Sequence, residues 1–69
     1  MTQLERRIVA TIAAAAQEGL EARAIYLTPG DRAEFGGATH AADVPVRDSK
    51  GRGRSMLYCR HGIARAIRR

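Results

Sequence analysis

The apolar positions of the first twenty residues recur at the spacing of an α-helix. They fall on one half of a helical wheel and comprise Leu4, Ile8, Val9, Ile12, Ala13, Ala16 and Leu20. Thr2 and Glu5 have the spacing of a capping box, in which each side chain bonds the backbone N–H of the other residue. Gly19 is typical of the residue that ends a helix. The pattern predicts an N-terminal amphipathic helix that covers one face of a sheet.

The next segments predict a strand followed by a short helix. Residues 24–27 are an apolar run without a polar position, as in a buried strand. Thr28 then suits a helix N-cap and the following proline suits the first helical position, so we expect a helix over Pro29–Phe35. Residues 38–42, small apart from His40, are expected to form a loop.

The second half of the chain predicts a β-hairpin. Residues 43–48 alternate, with Val44 and Val46 on one side and Pro45 and Arg47 on the other. Because proline donates no ladder hydrogen bond, this segment is either an edge strand or a strand whose proline faces out of the sheet. Residues 54–60 also alternate, with Met56 and Tyr58 on one side and two apolar residues on the other. The glycine-rich, charged segment 49–53 between them is typical of a turn. After it, residues 63–67 fit a last helical turn or a period-two strand.

These elements predict an α+β fold in a single domain of residues 1–69. The N-terminal helix packs on a small sheet of about three strands, and a basic β-hairpin lies towards the C-terminus. A chain of 69 residues forms a small core, so self-association into a homo-oligomer is also expected. Cys59 is the only cysteine, which indicates a reducing compartment. The apolar stretch 8–16 is too short to cross a bilayer, so we expect a cytoplasmic protein that binds no membrane.

Charge is distributed unevenly along the chain. Residues 1–43 carry four arginines and six acidic residues, whereas residues 44–69 carry eight basic residues and one aspartate, which together give the net charge of +5. Arginine presents a planar fork of donors that matches phosphate oxygens. The basic half therefore predicts contact with an anionic partner.

The predicted function is non-enzymatic binding of nucleic acid through the basic hairpin and C-terminus. The expected contact residues are Arg47, Lys50, Arg52, Arg54, Arg60, Arg65, Arg68 and Arg69. A two-stranded ribbon fits a major groove, and the chain has only three aromatic residues, so a duplex or structured nucleic acid is favoured over a single strand. Tyr58 can add a stacking or phosphate contact, although packing in the core is the favoured role.

Two other interpretations of the basic half stay open. The charges can simply keep an edge hairpin soluble, as natural proteins often do. Alternatively, the chain is a protein-interaction or self-assembling module, a phage-type regulator or assembly component whose basic face meets an acidic protein partner. In that case the wide apolar half of the first helix can serve both the core and a second copy.

The sequence contains few residues that could form a metal site or a catalytic site. Cys59, His61 and His40 are the conceivable metal ligands, but a structural zinc site requires four. The same cysteine and histidines would have to supply any nucleophile and base, and no carboxylate pair supports them. Segment 49–55 lacks the Lys-Ser/Thr ending of a phosphate-binding loop. We therefore expect no cofactor, no metal and no enzymatic activity.

Three short segments carry a resemblance to other proteins. They are Ile25-Tyr26-Leu27-Thr28-Pro29, Val44-Pro45-Val46-Arg47 and Tyr58-Cys59-Arg60-His61-Gly62. In this layout the chain resembles small uncharacterised proteins of proteobacteria and their phages. The resemblance implies no activity, and the abundance of alanine and arginine is typical of a GC-rich genome.

Overall fold

A computed structural model, which describes residues 2–49 and 53–67, shows two helices on one face of a five-stranded mixed sheet. The elements in chain order are α1 (Gln3–Gln17), β1 (Ala22–Leu27), α2 (Pro29–Phe35), β2 (His40–Ala41), β3 (Val44–Asp48), β4 (Met56–Cys59), a 3-10 turn (Arg60–Gly62) and β5 (Ala64–Ala66). The predicted α+β class is confirmed, with the N-terminal helix packed on the sheet.

Helix α1 begins and ends where its capping residues predict. The Thr2 hydroxyl accepts from the Glu5 N–H at 3.1 Å, and the Glu5 carboxylate accepts from the Thr2 N–H at 3.2 Å, which completes the capping box. At the other end, the Leu20 N–H donates to the Ala15 carbonyl, and Gly19 has a φ of +80°. This left-handed residue reverses the chain and directs it into β1.

Helix α2 has the predicted bounds and is held to the sheet by a buried polar contact. Thr28 caps it, because its hydroxyl accepts from the Asp31 N–H at 3.3 Å. The Ser55 hydroxyl donates to the Asp31 carboxylate at 2.5 Å and accepts from the Thr28 N–H at 3.1 Å. Asp31 and Ser55 are both buried, so this contact joins the start of α2 to the segment before β4.

The hairpin predicted from residues 43–48 and 54–60 is wrong. The strand order is β2-β3-β1-β4-β5, so β1 lies between the two segments that were expected to pair. Strand β3 runs parallel to β1, and β4 runs antiparallel to β1 on its other side. Directly after β3, the Ser49 N–H donates to the Leu27 carbonyl at the end of β1. The true C-terminal hairpin joins β4 to β5.

The sheet has five strands rather than about three. The two strands beyond the expected three are short. Strand β2 lies inside the expected loop 38–42. Strand β5 lies in residues 63–67, for which the sequence left both a helical turn and a strand open. Both consist largely of alanine, which has little preference for strands, so only tertiary pairing reveals them. Because β2 pairs with the start of β3, Pro45 lies one residue before the parallel ladder with β1 begins, at Val46.

The core lies between the helices and one face of the sheet. Its fully buried side chains are Leu4, Ile8, Ile25, Leu27 and Leu57. Phe35 of α2, Val44 of β3 and Ile67 after β5 complete the cluster. Cys59 is a buried free thiol in the same cluster. Only part of the apolar half of α1 is buried in this core, since Val9, Ala13 and Ala16 are exposed.

Candidate nucleic-acid interface

Alternation along the strands divides the sheet into a covered face and an open face. On the covered face, towards the helices, the central side chains are almost fully buried. The open face is defined by the alternate residues Ala24, Tyr26, Pro45, Arg47, Met56, Tyr58, Ala64 and Ala66. None of these side chains is buried, so no described element covers this face.

Two tyrosines form the aromatic centre of the open face. The rings of Tyr26 on β1 and Tyr58 on β4 are 5.0 Å apart at their centroids and meet edge to face at 64°. This arrangement is favourable for aromatic pairs and holds both rings in defined orientations. Tyr58 is 43% exposed, whereas packing in the core was its favoured role. Its ring is therefore available to a partner.

Arg47 lies beside this pair and is free of ionic partners. It is opposite Tyr26 in the parallel register of β3 with β1, and Met56 lies on the other side of Tyr26. Arg47 is exposed and makes no ion pair within residues 2–49 and 53–67. The same holds for Arg54, which is exposed two residues before the start of β4. These two guanidinium groups can accept an anionic partner without first breaking an internal contact.

Two other expected contact residues are engaged by glutamates of the first half. Arg60 lies 3.7 Å from the Glu21 carboxylate, and Arg65 pairs with Glu18 at the end of α1. Arg65 is opposite the buried Leu57 in register, so it belongs to the helix side of the sheet rather than to the open face. The expected basic residues thus do not share one surface, and only Arg47 and Arg54 combine exposure with a lack of described ion pairs.

The remaining four expected contacts, Lys50, Arg52, Arg68 and Arg69, lie outside the described residues. The structure does describe the residues that precede these basic segments, Ser49 and Ile67. Ser49 donates its N–H to Leu27 at the end of β1, and Ile67 donates its N–H to Ser55 just before β4. Both basic segments therefore leave the described structure at the same end of the sheet, where Arg47 and Tyr26 also lie.

The conceivable metal ligands and nucleophiles do not come together. Cys59 is buried on the covered face, whereas His40 and His61 are exposed on β2 and on the 3-10 turn. Across the described part of the chain, no group of three or more histidine, cysteine or acidic side chains could hold a metal ion. Neither helix within the described ranges combines the length and hydropathy needed to span a bilayer.

Tyr26 is the site residue that the sequence analysis missed. Its signal was present, because Tyr26 alternates with Ile25 and Leu27 as Tyr58 alternates with Leu57 and Cys59. The run 24–27 contains no polar residue, so its composition did not indicate which side chains face solvent. Comparison of the chain with protein-family models, with curated proteins and with solved structures gives no match. The open face must therefore be interpreted from its own chemistry.

Proposed function

We propose that this protein is a non-enzymatic module that binds single-stranded nucleic acid on the open face of its sheet. The observation that carries the proposal is the exposed Tyr58–Tyr26 pair beside an arginine without an ionic partner, on a sheet face that no described element covers. Sheets with exposed aromatic rings bind unpaired bases by stacking, and flanking arginines bind the phosphates.

The tyrosine pair supplies the contact that a base requires. Every base has a π-face, so stacking on a ring such as Tyr58 is tolerant of sequence and contributes about 1–3 kcal/mol per base. Tyr26 supports Tyr58 through the edge-to-face contact, and Met56 extends the apolar surface in the neighbouring register position. The open face is therefore expected to bind bases without strong sequence preference.

The unpaired arginines supply the contact that the backbone requires. Arg47 is at the side of the tyrosine pair, and Arg54 is at the end of the sheet from which the basic segments 50–52 and 68–69 continue. A strand that stacks on Tyr58 and passes this end of the sheet would meet the guanidinium groups of Arg47 and Arg54. Arg60 and Arg65 contribute less, because binding a phosphate would compete with their glutamates.

The corrected topology favours a single strand over the duplex that the sequence predicts. Major-groove readout by strands requires a narrow two-stranded ribbon. Here β1 separates β3 from β4, so these two strands do not form such a ribbon. In addition, two of the three aromatic residues share one face, which the sequence analysis did not expect.

Intrinsic tyrosine fluorescence tests the location of binding. The chain has no tryptophan, and both of its tyrosines lie on the open face, so their emission reports on this surface alone. Titration with an unlabelled 12-nucleotide mixed-sequence RNA or DNA strand should quench the emission, and the matched duplex should quench it less at equal phosphate concentration. Absence of quenching at micromolar strand and low salt would refute the proposal.

A salt series tests the electrostatic part. With about four phosphates engaged, the logarithm of the association constant for a single strand should fall with the logarithm of salt at a slope of roughly −3. Arg47→Gln should reduce the magnitude of that slope by about 0.7. Arg6→Gln is the matched control, because Arg6 is exposed on α1 in the opposite layer and has no described ion pair. Equal effects of the two substitutions would mean that binding follows net charge rather than the open face.

A further inference from the structure

Strand β5 forms one edge of the sheet that the described residues build. Its only strand neighbour among them is β4, with Met56 opposite Ala66 and Tyr58 opposite Ala64. Strand β5 is only three residues long, and its one charged side chain, Arg65, is paired with Glu18 on the helix side. The described edge carries no proline and no bulge that would prevent it from pairing with another strand. The edge is therefore competent to accept a further strand.

The hydrogen bonds to β4 identify the groups that this edge presents. The Cys59 N–H donates to the Ile63 carbonyl at 2.7 Å, and the Ile67 N–H donates to the Ser55 carbonyl at 3.0 Å. Antiparallel ladders alternate, so residues 63, 65 and 67 direct their backbone groups towards β4. Ala64 and Ala66 therefore direct two N–H and two C=O groups outwards.

A groove of about 320 Å³ runs between this edge and helix α1. Its apolar lining comes from Ala10, Ala14 and Ala15 of α1 and from Ala66 at the strand edge, whose small side chains leave the space unfilled. In a strand added to β5, the residue opposite Arg65 would point to the helix side, as Arg65 and Leu57 do. Alternate side chains of the added strand would therefore enter the groove.

The charges around the groove favour an acidic occupant. Arg65 is neutralised by Glu18, whereas Arg7 on α1 lines the groove and has no ion pair within the described ranges. A second copy of this chain is a less suitable occupant of the groove and of the β5 edge. Two-fold pairing of β5 with itself would place Arg65 opposite Arg65 of the other copy and would bring together two chains of net charge +5.

We infer that the β5 edge and its groove bind an extended, acidic segment of another protein as a sixth strand. The outward groups of Ala64 and Ala66 would supply four backbone hydrogen bonds. The alanine-lined groove would take apolar side chains at alternate positions, and Arg7 would meet a carboxylate. This site lies at the edge of the sheet and on the helix side, and the inference does not depend on nucleic-acid binding by the open face.

The test uses the full chain and a fluorescein-labelled heptapeptide, Glu-Thr-Val-Thr-Val-Thr-Glu, whose glutamates and valines share one side. Fluorescence anisotropy should show saturable binding. N-methylation of two threonines, whose N–H groups would face β5, should weaken binding at least about tenfold, whereas N-methylation of the two valines should change it less than about twofold. Replacing both glutamates with lysine should also weaken binding.

Two helix substitutions locate the peptide on the protein. Ala14→Leu fills the groove and should weaken binding about tenfold. Ala13→Leu is the matched control on an exposed helix position that does not line the groove, and it should leave binding within about twofold. Both variants replace an exposed alanine with a good helix former, so both should fold.

Three outcomes would overturn the inference. The first is a lack of saturable peptide binding at low salt, and the second is equal binding of the two sets of N-methylated peptides. The third is a dimer in sedimentation equilibrium that Ala66→Pro dissociates, which would assign the edge to a second copy. Proline is tolerated on an edge strand where the N–H faces solvent, so this variant should retain the native circular dichroism spectrum.

Discussion

The covered and open faces of the sheet are made by the same strands but have different compositions. On β1 and β4, the covered face presents Ile25, Leu27 and Leu57, each with no exposed surface. The intervening positions of the open face carry tyrosine, methionine and alanine, and none of them is buried. Successive side chains along one strand therefore point alternately into the core and towards the solvent.

This difference places the main contribution to stability on the covered face and leaves the open face for the proposed recognition. Removing apolar surface from water stabilises the fold most where burial is complete, which is the covered face. The open face contributes less to folding, yet it bears an aromatic pair and Arg47 beside it. Substitutions on the two faces should accordingly change different measurable quantities.

The largest expected effect is on stability, from adjacent residues of β4. Leu57→Ala should lower the free energy of unfolding by about 2–5 kcal/mol, because it leaves a cavity in a fully buried site. Met56→Ala on the open face should lower it by only about 1 kcal/mol, since that side chain already contacts water. Urea denaturation followed by circular dichroism measures both. Similar losses would show that the open face is covered in solution.

The next effect concerns the polar contact between α2 and the sheet. Ser55→Ala should destabilise the protein by about 1–3 kcal/mol, because the Thr28 N–H loses its acceptor and the Asp31 carboxylate loses a donor in a buried site. The control is Ser49→Ala. The Ser49 hydroxyl oxygen is buried without a hydrogen-bond partner among the described residues, so its removal should be neutral or stabilising. Equal destabilisation in urea titrations would contradict the assigned contact.

An effect of similar size is expected in binding rather than folding. Tyr58→Ala should weaken binding of the 12-nucleotide single strand by about 1–3 kcal/mol, whereas Tyr58→Phe should preserve most of the affinity because the ring remains. Fluorescence anisotropy with a labelled strand measures this difference, and urea denaturation checks that both variants fold. If phenylalanine weakens binding as much as alanine does, the tyrosine hydroxyl rather than stacking is responsible.

The smallest effect should come from the paired arginine on the helix side. Glu18 and Arg65 have side chains that are 52% and 45% exposed, so their coupling should be less than about 1 kcal/mol and should fall as salt rises. A double-mutant cycle of Glu18→Gln and Arg65→Gln, read by urea denaturation, measures it. Coupling that persists at high salt would show that the pair is shielded from solvent.

Local signals in the sequence predicted the helices well. The capping box of Thr2 and Glu5, the end at Gly19 and the bounds of α2 are all confirmed. The alternation of Met56 and Tyr58 against Leu57 and Cys59 is confirmed as well. Each of these features depends on residues within four positions of one another, so the sequence contains the necessary information.

Pairing between distant strands could not be predicted in the same way. The segments 43–48 and 54–60 are neighbours in the chain and enclose a sequence typical of a turn, yet β1 pairs with both. The buried contact of Ser55 with Thr28 and Asp31 and the Ser49–Leu27 hydrogen bond attach the residue before β4 and the residue after β3 to the end of β1. Such contacts join residues more than twenty positions apart, and no local pattern encodes them.

The same division applies to the candidate site. The sequence by itself determined the helix positions, the face on which each β4 residue lies and the basic character of the second half, because these follow from local geometry and composition. Only the tertiary structure decided that Tyr26 meets Tyr58, that Arg47 lies beside them and that Arg60 and Arg65 face glutamates. Strand order sets those neighbours, and it depends on which long-range pairing buries the most apolar surface.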